Sequence, residues 1–241
     1  MNILKNILNF FLSLGTTLWF LGLLLVLFLV GAFIMPGNKA FQQLHSIPLF
    51  DWIQKQPLKD IWWLWGIMGV LAVIAVNTLF CSVESIIKKR KVTHWLLLIS
   101  PQIIHIGFLF MLLAHLLSAF GASQRNANIM EGSRLRISSD TILKVDKINI
   151  DIDYYGYVTD WKVDVKYISG NEILQADRIM PNTPSVFRGF NVNIRNLKSY
   201  PQKIALLQIN REPGAMWALA GGILFIIGIV ILVAFKRKID K

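Results

Sequence analysis

The sequence predicts an α+β membrane protein: four transmembrane helices, with an extracytoplasmic antiparallel β domain inserted between the third and the fourth. Three observations carry this. Four runs, near residues 18–35, 61–79, 95–120 and 215–235, are apolar and long enough to cross a bilayer, which takes about 20 residues. Between residues 121 and 213 the pattern changes to apolar–polar alternation, the period of a half-buried strand. Basic clusters stand beside the spans, where they act as orientation signals.

Composition agrees. The chain has 241 residues, 54% of them hydrophobic, and a formal net charge of +11. A soluble domain of this length needs no such series of uninterrupted apolar runs. Because much of the charge sits beside spans, membrane orientation accounts for it and nucleic-acid binding does not. There is one cysteine, Cys81, which excludes an intrachain disulfide, a CxxC redox pair and a CxxCH haem-attachment site.

The expected organisation is an N-terminal membrane region, 1–120, with spans at about 18–35, 61–79 and 95–120; a β domain, 121–213; and a fourth helix with a basic tail, 214–241. Residues 1–17 form a lead-in with Phe10, Phe11 and Leu12, suited to the membrane interface. The first apolar run ends at Pro36-Gly37 and outlasts a signal-peptide core, so an uncleaved anchor is expected. The loop 37–60 carries Phe41, Leu44, Ile47, Leu49, Phe50 and Trp52, too apolar for a free linker; it is expected to pack on the membrane surface or on a partner. His45 lies in this loop. Trp62, Trp63 and Trp65 open the second span as an aromatic belt. Gly221, Gly222 and Gly228 mark a close-packing face on the fourth. Lys88–Lys91 and Lys236–Lys238 place both termini in the cytoplasm and the β domain outside.

In that domain Ile148, Ile150 and Ile152 alternate with polar residues, as do Val163, Val165 and Tyr167, and Val192 and Ile194. Turns are expected at Gly156, Ser169-Gly170-Asn171, Pro181-Asn182 and Tyr200-Pro201. The domain holds no histidine or cysteine, the soft metal ligands. It reads as a docking surface.

The third span carries the chemistry. Ser100, Pro101 and Gln102 lie near one end, His105 near the middle and His115 near the other end. A titratable imidazole in hydrocarbon is costly and usually marks function. His105 is about 11 residues past His94, roughly 16 Å deeper along a helix, near the bilayer centre if His94 marks the cytoplasmic boundary. Spacing leaves two readings open: a ligand to haem iron, or a packed histidine bonded to a neighbouring carbonyl or to Asn77. His115 lies roughly 15 Å further on and around the helix; the two cannot grip one iron. It serves either a second, outer haem or the interface. Gln102 is either a partner orienting a ligand or exposed at the helix start. Arg134, Arg136 and Arg188 are solvated arginines or partners for propionates.

Several stretches in order resemble the ResB family, also called CcsB, of the System II cytochrome c maturation machinery. They are NTLFCSVESIIKKRK at 77–91, IIHIGF at 103–108, DIDYYGYVTDWKVDVKYISG at 151–170, MPNTPSVFRGFNVNI at 180–194 and INREPGAMWALAGGILFIIGI at 209–229. The chain departs from many relatives in its shorter outer domain, and its WWLWG run is not the partner's tryptophan-rich motif. The resemblance implies a haem-handling subunit in the bacterial cytoplasmic (inner) membrane. It would act with a ResC/CcsA-type membrane protein and dock apocytochrome c. Haem b would be held transiently and shared with the partner, with His105 as the iron ligand and His115 as a further candidate. It implies at most a subunit of a holocytochrome c synthase, with no self-contained catalytic site. The alternatives are a haem b electron-transfer subunit, disfavoured because only one span bears histidines, and a structural scaffold.

Overall fold

The computed structural model describes residues 10, 12–44, 46–88, 95–199 and 202–239. The expectations placed on most of the lead-in, on His45, on His94, on the bases 89–91 and on the turn at Tyr200-Pro201 lie outside these. The chain divides into two compact units, one made of Met1–Gly121 and Pro213–Lys241, the other of Ala122–Glu212.

The first unit is helical. Its elements are α1 (Leu14–Ile34), a 3-10 turn (Lys39–Gln43), α2 (Leu49–Ile53), α3 (Leu58–Lys88), α4 (Trp95–Gly121) and, after the second unit, α5 (Ala215–Ile239). Among the described residues, four helical stretches are long and apolar enough to cross a membrane: Leu14–Ile34, Leu58–Ile87, Ile99–Gly121 and Ala215–Phe235. The expected boundaries of α1 and α3 were short. α1 starts four residues early and α3 three residues early. α3 runs past residue 79 to Lys88, because no Pro or Gly interrupts it there and half-buried Glu84 is tolerated near its end. α4 continues through Pro101.

α4 and α5 pack along small residues repeating every seven positions. A Cβ added to Gly107 would stand 2.7 Å from the Gly221 carbonyl oxygen, and one on Gly221 2.7 Å from that of Gly107. One on Gly228 would meet Ile104 and the Ser100 carbonyl oxygen, and one on Gly214 would run into Ala114. The rows 100, 107, 114 and 214, 221, 228 therefore run antiparallel with backbone against backbone. Such approach is the usual way to bind helices where lipid competes for apolar contact. Gly222, expected on this face, meets nothing; it is a third of a turn off the row.

The segment between α1 and α3 packs on its own unit. Trp52 is fully buried, its ring 4.9 Å from that of Phe41. Its indole N–H donates to the Ala40 carbonyl at 3.1 Å. Trp63 is buried too, filling the space left by Gly31. Trp62 and Trp65 are exposed, so the belt expected of three tryptophans holds two.

The second unit is a sandwich of two antiparallel four-stranded sheets. Its strands are β1 (Ser123–Ile129), β2 (Arg134–Arg136), β3 (Ile142–Ile152), β4 (Val158–Ser169), β5 (Glu172–Ile179), β6 (Ser185–Phe187), β7 (Phe190–Lys198) and β8 (Ile204–Arg211). The orders are β1-β8-β7-β6 and β2-β3-β4-β5. Ile148, Val163, Val165, Tyr167 and Val192 point into one shared core with Leu143, Ile179 and Leu207. Ile152 does not. The β3–β4 hairpin is longer than any strand of the facing sheet and reaches beyond the core, and the register shifts after Asp151. Asn182 and Gly156 both take positive φ, at 58° and 87°, where the expected turns fall.

Candidate functional site

His105 and Ser82 join α4 to α3. The Ser82 Oγ lies 2.8 Å from His105 Nδ1. Neither the carbonyl nor the Asn77 contact weighed from spacing is the one made. Asn77 is buried and occupied elsewhere: its Oδ1 accepts from Thr17 Oγ1 of α1 at 2.9 Å, and Cys81 Sγ is 3.9 Å away. The polar residues near the C-terminal end of α3 thus stitch α1 and α4 to it, Asn77 to one side and Ser82 to the other. Side-chain bonds of this kind take over where apolar burial gives helices no reason to associate.

The Ser82 contact has a chemical consequence. It occupies Nδ1, so Nε2 is the nitrogen left for another partner, and among the described residues no hydrogen bond reaches it. The ring is half-buried at the surface of the helical unit, with exposed Ile106 beside it. An imidazole anchored through one nitrogen and open at the other is the arrangement a metal-binding histidine needs, since the second nitrogen fixes the ring and its tautomer. His105 stands six residues past Ile99, about 9 Å into the apolar stretch, on the near side of its midpoint.

Gln102 is buried at one helical turn from His105, and its Oε1 has no partner. That excludes an exposed residue at the helix start. Ser100 is buried on the α5 side, its Oγ also unpartnered. His115 is exposed, ten residues beyond His105; the helix separates them by about 15 Å and by roughly 80°. The structure therefore does not bring the two histidines together. Among the described residues no group of three or more His, Cys, Asp or Glu side chains is placed to hold a metal ion.

Ser82 was not singled out by sequence reasoning. A serine in a span costs little and carries no signal by itself; only the pairing of α3 with α4 gives it meaning.

The β unit holds one buried polar array. Ser185 donates to Asp177 Oδ2 at 2.6 Å, and Tyr167 Oη lies 2.7 Å from Ser185 Oγ. Burial, with the Asp177 charge adding to it, pushes the Tyr167 phenol above its ordinary range. Ser185 is wholly buried, and the array ties β4, β5 and β6 together. Asp146, the extra residue where β3 bulges against β4, lies between Lys166 at 2.5 Å and Lys144 at 3.0 Å, which hold its carboxyl below the usual range. Arg188 meets Asp140 at 3.4 Å and stacks over Phe187. Arg134 and Arg136 are solvated on the short edge strand β2.

No family model matches the chain, and no curated protein does. Among solved structures it is similar to one described as cytochrome c haem lyase CcmF, with 12% identity and a TM-score of 0.46, over 67% of this chain and 30% of that one. The chain spans under a third of that structure, and a likeness this distant carries no conclusion about activity.

Proposed function

We propose that this chain is a haem-handling subunit of a cytochrome c maturation complex, a short member of the ResB/CcsB type acting with a ResC/CcsA-type membrane partner. It would lie in a bacterial cytoplasmic membrane, with both termini inside and the β unit outside docking apocytochrome c. The observation that supports this most is the His105 ring: a span histidine held through Nδ1 by Ser82, with Nε2 unspent and the ring at the unit's surface. The ordered motifs at 77–91, 103–108, 151–170, 180–194 and 209–229 point the same way.

These residues suit haem b. Nε2 of His105 would hold the iron; haem, when bound, supplies the vinyl groups that become thioether links. Ser82 orients the ring. As a neutral hydroxyl it is a weaker acceptor than the carboxylate that often backs a ligating histidine, so it leaves the imidazole a modest donor. A modest ligand at an open surface, with the iron's other side left to a partner, fits haem that must be handed on. His115 is placed second, as an interface residue.

The experiment is purification of the full chain with its copurifying membrane partner, followed by absorption spectroscopy. His105→Ala is expected to lose the bound haem and added imidazole to restore it, while His115→Ala keeps it. Holocytochrome c in cells should fall with His105→Ala. Full haem retention and normal holocytochrome c in that variant would leave the scaffold reading in its place. Loss of haem with unchanged holocytochrome c would favour an electron-transfer subunit.

A further inference from the structure

The β unit obeys one rule nearly everywhere: apolar side chains go to the shared core. The tip of the β3–β4 hairpin breaks it. Tyr154, Tyr155 and Tyr157 are 98%, 81% and 73% exposed, and Ile152 and Val158 beside them are exposed as well. None of the five belongs to the core. The only ring contact among the tyrosines is between Tyr154 and Tyr155, edge to face at 5.7 Å.

The tip is built to hold its shape. Asp153 Oδ1 accepts from the backbone N–H of Tyr155 at 2.9 Å and of Tyr157 at 2.8 Å. The Asp153 N–H donates to the Tyr157 carbonyl at 2.9 Å, and the Gly156 N–H to the Asp153 carbonyl at 3.1 Å. Gly156 supplies the positive φ that closes the loop. Three large rings on a fixed backbone, each with two side-chain torsions, lose little entropy when covered, which is why tyrosine serves so well in recognition loops.

The charge beside them identifies what covers them. Asp151 and Asp160 stand directly opposite one another across the ladder, where like charges are unfavourable. With Asp153 they make three acids against one base, Lys162, in the stretch 151–162 of a chain whose net charge is +11. Lys162 reaches only Asp160, at 3.5 Å. Ring faces attract cations, and so do these carboxylates. Tyrosines alone would also suit a membrane interface; the carboxylates standing beside them favour a cationic partner.

We propose that this hairpin tip is a docking finger for a polypeptide segment bearing Lys or Arg, gripped by the three tyrosines and by Asp151 and Asp160. It stands independently of the haem reading, since nothing in it involves His105.

The test uses the full chain in zwitterionic nanodiscs and a fluorescent, unstructured lysine-bearing peptide, with its glutamate counterpart as control. Replacing Tyr154, Tyr155 and Tyr157 by Ser touches no packed residue; it should weaken lysine-peptide binding about tenfold or more. Asp151→Asn with Asp160→Asn should weaken it severalfold and flatten its salt dependence. The glutamate peptide should not bind. Unchanged binding in either variant overturns the proposal. So does a benzophenone side chain at position 155 that crosslinks to lipid in preference to the peptide.

Discussion

The two units sort their side chains in opposite directions. In the β unit the interior is Leu143, Val145, Ile148, Val163 and their neighbours, and the few buried polar side chains are mostly bonded: Ser185 to Asp177, Gln208 to Arg195 at 2.6 Å. In the helical unit Trp19 and Phe33 are 83% exposed, while Asn77, Thr78, Ser100 and Gln102 are buried. Water drives apolar surface inward in the first. Hydrocarbon makes no such distinction in the second, so packing and hydrogen bonds decide what lies inside. Each rule makes its own exceptions conspicuous. In the helices the exceptions are His105, polar but only half-buried, and His115, polar and exposed; in the sandwich the exception is the tyrosine tip, apolar but outside.

The largest expected effect contrasts the two interiors directly. Leu207→Ala in the sandwich core should cost about 3 kcal/mol, whereas Leu25→Ala on the outward face of α1 should cost less than about 0.5 kcal/mol, both by denaturant unfolding in a bilayer mimic. Equal losses would mean that the helical unit also depends on apolar burial. Next comes the α4–α5 seam. Gly221→Ala should lose about 2 kcal/mol, because its new Cβ meets backbone that cannot yield. Gly222→Ala, facing open space, should be neutral or slightly stabilising, since alanine favours a helix.

Ser82→Ala removes a single interhelical bond and should cost about 1 kcal/mol. The sharper readout is nitrogen NMR of the histidines in haem-free protein. The Nδ1 signal of His105 should move in Ser82→Ala as its hydrogen bond is lost, and Ser82→Thr should restore it.

The smallest effect is on pH dependence, and it belongs to the β unit. The Asp146 carboxyl is held low by Lys166 and Lys144. Its stabilisation is therefore present above the ordinary aspartate value, about 3.9, and is lost as pH falls through the lower folded value. Asp146→Asn should flatten the acid arm of stability below about pH 4. Tyr167 works at the other end. Its raised value means that stability holds below about pH 10 and declines as pH rises beyond it.

Much of this fold was legible in the sequence, for reasons that can be stated residue by residue. Apolar runs reveal spans because length is set by the bilayer, and alternation at 163–167 reveals a strand because one face is core. The failures come from rotation and register. Gly222 sits among the glycines of α5, yet only the seven-residue spacing of 214, 221 and 228, matched by 100, 107 and 114, tells which face is used. Trp63 differs from Trp62 and Trp65 only in the direction it points. Ile152 keeps the alternation of Ile148 but lies where the hairpin has outrun its covering sheet. Of the candidate site, His105 was readable as costly and Ser82 was not, since the contact between residues 82 and 105 depends on how two helices slide past each other. The burial of Gln102 was illegible for the same reason.

The glycine row between α4 and α5 has one more consequence. A joint made of backbone on both sides has no rotamers to change, so it can serve as an axle but not as a latch. Where α3 meets α4, the contact is a serine hydroxyl on an imidazole, which can turn, break and re-form. Of the two joints, the one at His105 is the one whose side chains can rearrange.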